Sequence, residues 1–84
     1  MKSQAAMNEF LTYARKLAIS PKNRTIVKNL AAKANILLTD DLELQNPNME
    51  VSEAQIGELM NHLNDVAIIK IVAKRIFRNH GYDF

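Results

Sequence analysis

Apolar residues return every three to four positions through most of this 84-residue chain, and that spacing places it in the all-α class. Two further observations agree. Helix-start signals stand at Ser20-Pro21 and at Ser52 with Gln55, and Gly81 stands where a final helix would end. The expectation is one helical domain over 1–84, a small antiparallel helical bundle. Its helices fall at about 4–18, 21–38 and 53–80, with an acidic connector at 39–51. The count becomes four if the last helix breaks near Asn64-Asp65.

In the first helix, Met7, Phe10, Leu11, Ala14, Leu17 and Ala18 fall within an arc of about 120° on a 100° wheel, and Ser3 is a suitable N-cap. Ser20 caps the second helix. Pro21 takes its first position, where a missing N–H costs nothing. Ile26, Val27, Leu30, Ala31, Ala34, Leu37 and Leu38 share one side of it, so the tight link predicts that the first two helices pack as a hairpin.

The connector, TDDLELQNPNME, has Thr39 or Asp40 available to cap a short turn holding Leu42 and Leu44, and Asn46-Pro47-Asn48 reads as a turn. Ser52 and Gln55 then form a capping box, with Val51 and Ile56 as a hydrophobic staple and Glu53 against the helix dipole. Gly81 follows as the C-cap glycine, after Lys74, Arg75, Arg78 and His80.

Between those ends the apolar face changes sides. Ile56, Leu59, Met60, Leu63, Val66 and Ala67 share a sector that further on holds Lys70, Lys74 and Arg78. There the apolar residues Ile68, Ile69, Val72, Ala73, Ile76 and Phe77 have moved by about half a turn. A straight helix cannot bury both faces against one hairpin. Either it breaks at Asn64-Asp65, with Asp65 capping a separate final helix, or it stays whole and its second half packs on another chain. The whole helix and a homodimer are the preferred expectation. A β-strand over VAIIKIV lacks a pairing partner elsewhere in the chain.

Charge is unevenly spread. Residues 1–35 carry a net +6, residues 36–66 carry −7 with no base, and residues 67–84 carry +3. Folding the acidic middle onto the basic ends is the simplest consequence, and a free basic surface for an anionic partner is the other. The chain contains no cysteine, so disulfides and thiolate metal sites are excluded. Asn8, Glu9, Arg15 and Lys16 interrupt any apolar leader, and the longest apolar stretch, Val66 to Ala73, includes Lys70. That is far short of the ~20 residues of a membrane span, so a cytoplasmic protein is expected and a membrane role is not.

Catalytic signatures are missing. Asp40, Asp41, Glu43 and Glu50 sit in a short polar connector without apolar walls to shift a carboxyl pKa. Ser3, Ser20 and Ser52 have capping roles, and no glycine-rich loop is present to cradle phosphate. His62 and His80 are far apart, and His62 with Asp65 is a poor metal pair. The expectation is no enzyme, no metal and no cofactor.

Ile26–Ile36 (IVKNLAAKANI) resembles the first helix and turn of a helix-turn-helix, with Ala31 and Asn35 at small and turn positions. The likeness stops where a recognition helix should follow. There Leu38-Thr39-Asp40-Asp41-Leu42-Glu43 would set three carboxylates against phosphate. In size and class the chain is also similar to the immunity proteins of bacteriocin producers and to phage-encoded inhibitors, without a motif that carries residue roles across.

The functional expectation is therefore a small protein-binding regulator, inhibitor or assembly factor, acting by self-association or by docking its last helix. Ile68, Ile69, Val72, Ile76 and Phe77 are the candidate interface. Lys70, Lys74, Arg75 and Arg78 are the candidate contacts to an anion or an acidic partner. Nucleic-acid binding through that basic strip is the alternative.

Overall fold

A computed structural model describes residues 2–83 and contains four α-helices: α1 (Lys2–Leu17), α2 (Pro21–Lys33), α3 (Glu53–His62) and α4 (Ala67–Asn79). The all-α expectation holds. Ala6, Met7, Phe10, Leu11 and Ala14 of α1 are buried, as is Ala18 just beyond it. Leu17, expected in that stripe, is exposed, and Ser3 lies inside the first turn instead of capping it.

Ser20 caps α2 as expected, its Oγ accepting from the Asn23 N–H at 3.2 Å, with Pro21 at the first position. The helix ends at Lys33, five residues before the expected Leu38. Asn35 takes a left-handed conformation (φ 59°), and its N–H donates to the Ala32 carbonyl at 2.9 Å. The Ile36 N–H donates to the Ala31 carbonyl at 3.0 Å. This is a Schellman motif, and it turns the chain so that Ile36 and Ala31 are both buried.

The connector contributes to the core. Leu38 and Leu44 pair across an isolated antiparallel bridge, and the Thr39 N–H donates to the Glu43 carbonyl at 2.7 Å. The tight loop closed by this bridge buries Leu38, Leu42 and Leu44 together. Then α3 opens with the expected capping box. Ser52 Oγ accepts from the Gln55 N–H at 3.1 Å, and Gln55 Oε1 accepts from the Ser52 N–H at 2.9 Å. Val51 and Ile56 of the staple are both buried.

The preferred whole last helix is overturned. A 3₁₀ turn at Leu63–Asp65 follows α3, and Val66 (φ −126°, ψ 69°) separates it from α4. Asp65 does not cap α4; Val66 occupies that position without a side-chain hydrogen bond. The break forfeits a few backbone hydrogen bonds, each worth about 1 kcal/mol net. In return Ile56, Leu59, Met60 and Leu63, and then Ile69, Ala73, Ile76 and Phe77, all reach one core. Burying a large apolar side chain is worth about 1.5–3 kcal/mol, so packing outweighs helix continuity.

A second Schellman motif ends α4. Gly81 (φ 93°) donates to the Arg78 carbonyl and Tyr82 to the Phe77 carbonyl, each at 3.0 Å. The Phe77 and Tyr82 rings meet edge-on at 5.9 Å, and Phe10 reaches Phe77 at 5.6 Å. That contact reflects the main packing: α1 lies chiefly against α4, and α2 against α3. The expected α1–α2 hairpin is therefore not the principal pair. The two are stitched at their junction by Arg24, whose Nε and Nη2 donate to the Ala18 and Arg15 carbonyls at 2.9 and 3.3 Å. Among the described residues, no helix is long and apolar enough to cross a membrane.

Candidate functional site

The break that completes the core also removes most of the expected interface. Ile69, Ile76 and Phe77 are buried within the chain's own core, and Val72 is half-buried against it. Ile69, Ile76 and Phe77 therefore leave little surface for a partner. Of the five expected residues, only Ile68 is exposed, at 68%. Among the described residues the exposed large apolar side chains are Tyr13, Leu17, Ile19, Ile26, Leu37, Ile68 and Ile71, and Tyr13, Leu17, Ile68 and Ile71 lie along the junction of α1 with α4.

That surface has two adjoining grooves. One, of about 430 Å³, is lined by Leu17, Ile26, Val66, Ala67, Ile68 and Ile69 together with Ala18 and Asn23. The other, of about 300 Å³, is lined by Glu9, Tyr13, Ile71, Val72, Arg75, Ile76 and Asn79. Leu17 and Tyr13 stand one turn apart on α1, and Ile68 and Ile71 one turn apart on α4. The grooves are thus successive stretches of one seam. Tyr13 is 45% exposed, Leu17 41% and Ile71 65%.

Sequence reasoning did not select Tyr13, Leu17 or Ile71. Leu17 belonged to the α1 stripe, and Ile71 fell outside the apolar sector of α4. The available signal was that Ile68 and Ile71 share a face at i, i+3 with Arg75 one turn further on.

The basic strip divides between two sides of α4. Lys70 and Lys74 line a groove beside α3 with Gly57, Met60 and Asn61, and Lys70 Nζ donates to Asn64 Oδ1. Arg75 faces the α1 seam instead. Arg78 is exposed in the last turn.

Among the described residues, the connector's two aspartates pair with α2. Asp40 pairs with Lys28 at 2.7 Å and Asp41 with Arg24 at 3.6 Å, both on α2. The hydrogen bond from Lys28, and after it the lysine's charge, hold the Asp40 carboxyl below its usual range. Both aspartates are largely exposed, so these pairs add little stability. Glu9 lies 3.2 Å from His80 and joins α1 to the end of α4.

The remaining candidate groups do not assemble. Asp40, Asp41, Glu43 and Glu50 are all exposed. Among the described residues, no three histidine or carboxylate groups come together as a metal site. A polar groove beneath the connector is lined by Gln4, Asn8, Thr12, Arg15 and Glu43. Its polar groups are used structurally: Gln4 Nε2 donates to the Pro47 carbonyl at 2.6 Å and Arg15 Nη1 to the Leu42 carbonyl at 2.8 Å. The segment after α2 is a turn and a bridge, so no recognition helix completes the helix-turn-helix likeness. No protein-family model matches the chain, and neither the curated proteins nor the solved structures compared with it include a match.

Proposed function

We propose that this is a non-enzymatic binding protein, a small regulator, inhibitor or assembly factor that docks another protein on the seam between α1 and α4. The observation that carries this reading is the exposed apolar quartet of Tyr13, Leu17, Ile68 and Ile71, which lines two grooves one helical turn apart along α1 and α4. In this reading the bundle is antiparallel. Glu9 meets His80 at one end of the seam, while Leu17 and Ile68 share a groove at the other. A cytoplasmic setting belongs to the same reading, since a cysteine-free chain suits a reducing compartment.

Magnitudes limit what the quartet does alone. Fully burying a large apolar side chain is worth about 1.5–3 kcal/mol, and these four start near half exposure, so covering them yields roughly 3–6 kcal/mol. Association itself costs about 4–15 kcal/mol. A lasting complex therefore needs further contacts around the seam. Nucleic-acid binding through Lys70, Lys74, Arg75 and Arg78 has less support, because the strip is split between two sides of α4.

Site-specific photocrosslinking in the source cells tests the docking reading. A photoreactive residue at Ile71 is expected to yield a defined protein adduct that Ile68→Asp abolishes, while the exposed control position Lys33 yields none. No adduct at Ile71, or the same adducts at both positions, would overturn the reading.

A further inference from the structure

We propose that the turn between α3 and α4 is an exchange hinge. Opened into a continuous helix, it carries α4 off its own α1 and onto α1 of a second copy. The product is a domain-swapped dimer in which each α4 keeps the contacts it makes with α1.

The hinge can convert without a covalent obstacle. It consists of the 3₁₀ turn Leu63–Asp65 and Val66, and no glycine or proline lies between Glu58 and His80. Val66 gives α4 no side-chain cap. The N–H groups of Ala67, Ile68 and Ile69 stand in the first turn, where a helix supplies no carbonyl partner of its own. Closing the hinge into helix gives them the carbonyls of Leu63, Asn64 and Asp65. Lys70 Nζ donates to Asn64 Oδ1 across the turn, and that contact is exposed.

The last helix is also a separable unit. It packs chiefly on α1, while α3 packs on α2. Its contacts with α1 include Phe77 against Phe10 at 5.6 Å and His80 beside Glu9 at 3.2 Å. These residues come from opposite ends of the sequence, so α1 of a second copy can supply the same partners. Exchange preserves those contacts, and concentration and the hinge decide between the two forms.

The placement of buried residues suits a helix shared by two chains. On a continuous helix Ile56, Leu59 and Leu63 point roughly 100° away from Ile69, Ala73 and Ile76. A single chain gathers both sets into one core by breaking the helix. In a pair, a straight helix lays the first set on its own α2 and the second on the other chain's α1. Each seam is then built from two chains. The larger groove, which Val66 and Ala67 help to line, changes shape with the exchange.

The test is refolding from urea at low and at high protein concentration, followed by size exclusion with light scattering. Wild type is compared with Asn64→Ala/Val66→Ala and with Ala67→Pro. Alanine favours helix at the hinge, and Asn64→Ala also removes the acceptor for Lys70. Proline suits position 67 of the monomer, an exposed first helical position that follows a Val66 φ of −126°, outside the helical region. In a continuous helix it loses the bond to the Leu63 carbonyl and clashes with it. Wild type is expected to refold as a monomer when dilute and partly as a dimer when concentrated. The alanine variant should dimerise about tenfold more tightly, and Ala67→Pro should remain a monomer with unchanged helicity.

Exchange is read directly by refolding chains carrying Glu9→Cys together with chains carrying His80→Cys, since the natural chain has no cysteine. A short bifunctional thiol reagent should join one chain of each kind within the dimer fraction. Wild type and alanine variant that are both monomeric at every concentration overturn the proposal. So does a dimer that survives Ala67→Pro or that the reagent does not link, because the chains then meet without exchanging α4. If Ala67→Pro does not fold, the crosslink in the alanine variant decides alone: linked mixed pairs support exchange, and their absence overturns it.

Discussion

Arg15 reaches from α1 into the connector and donates to the Leu42 carbonyl at 2.8 Å, holding a leucine whose φ is 61°. Left-handed backbone costs a non-glycine residue about 1–2 kcal/mol, and a leucine has no side-chain hydrogen bond to compensate. What compensates is burial: the Leu42 side chain is enclosed in the core. Leu42→Gly relieves the backbone but leaves a cavity, and large-to-small core changes of this kind cost about 2–5 kcal/mol. The expected net result is a loss of about 1–3 kcal/mol in urea unfolding, and a variant more stable than wild type would contradict it.

Gln55 links two helices through one side chain. Its oxygen completes the α3 capping box, while Nε2 donates to the Ala34 and Asn35 carbonyls at 3.3 and 3.2 Å. Glutamate is an accepted capping-box residue, so a purely local role makes Gln55→Glu harmless. The bridging role predicts otherwise, because a carboxylate cannot donate and faces two carbonyl oxygens. Both Gln55→Ala and Gln55→Glu are expected to cost about 1–2 kcal/mol, read from shifts in the denaturation midpoint.

Alkaline pH probes the far end of the fold. Burial, and behind it the charge of Glu53, hold the Tyr82 phenol above the ordinary value of about 10, outweighing the opposing hydrogen bond with Ser3. A raised value means that the native chain keeps this proton longer than the unfolded chain. Stability from this group is fully present below about pH 10 and is lost as pH rises through the folded-state value. Urea midpoints between about pH 8 and pH 11 should fall less steeply for Tyr82→Phe than for wild type. Parallel curves would dismiss the assignment.

The two faces of α4 should respond oppositely to charge. Ile68→Asp with Ile71→Asp alters exposed positions, and surface changes of this kind stay within about 0.5 kcal/mol each. Ile69→Asp with Ile76→Asp buries two carboxylates in the core and is expected to unfold the chain. Helicity and thermal midpoint, measured on both pairs, separate the faces. Comparable destabilisation by the two pairs would place Ile68 and Ile71 in the core as well.

Local chemistry made part of this architecture readable from the residues alone. Ser20-Pro21, the Ser52–Gln55 box and Gly81 each act within one helical turn, so their effects need no knowledge of distant packing. The all-α class follows from periodicity for the same reason. Asn35 offered a similar signal, because asparagine tolerates the left-handed conformation that ends α2, but the apolar run through Leu38 masked it.

Tertiary packing decided what local signals leave open. Whether α3 and α4 form one helix depends on what surface each half can cover, and that comparison involves Phe10 of α1 as much as any residue near the break. The same nonlocal balance chose α4 as the main neighbour of α1, drew Leu38, Leu42 and Leu44 inward, and left Ile68 and Ile71 outside. Periodicity gives each helix an apolar side. Only the free energy of burying that side against the rest of the chain determines which residues are left at the surface.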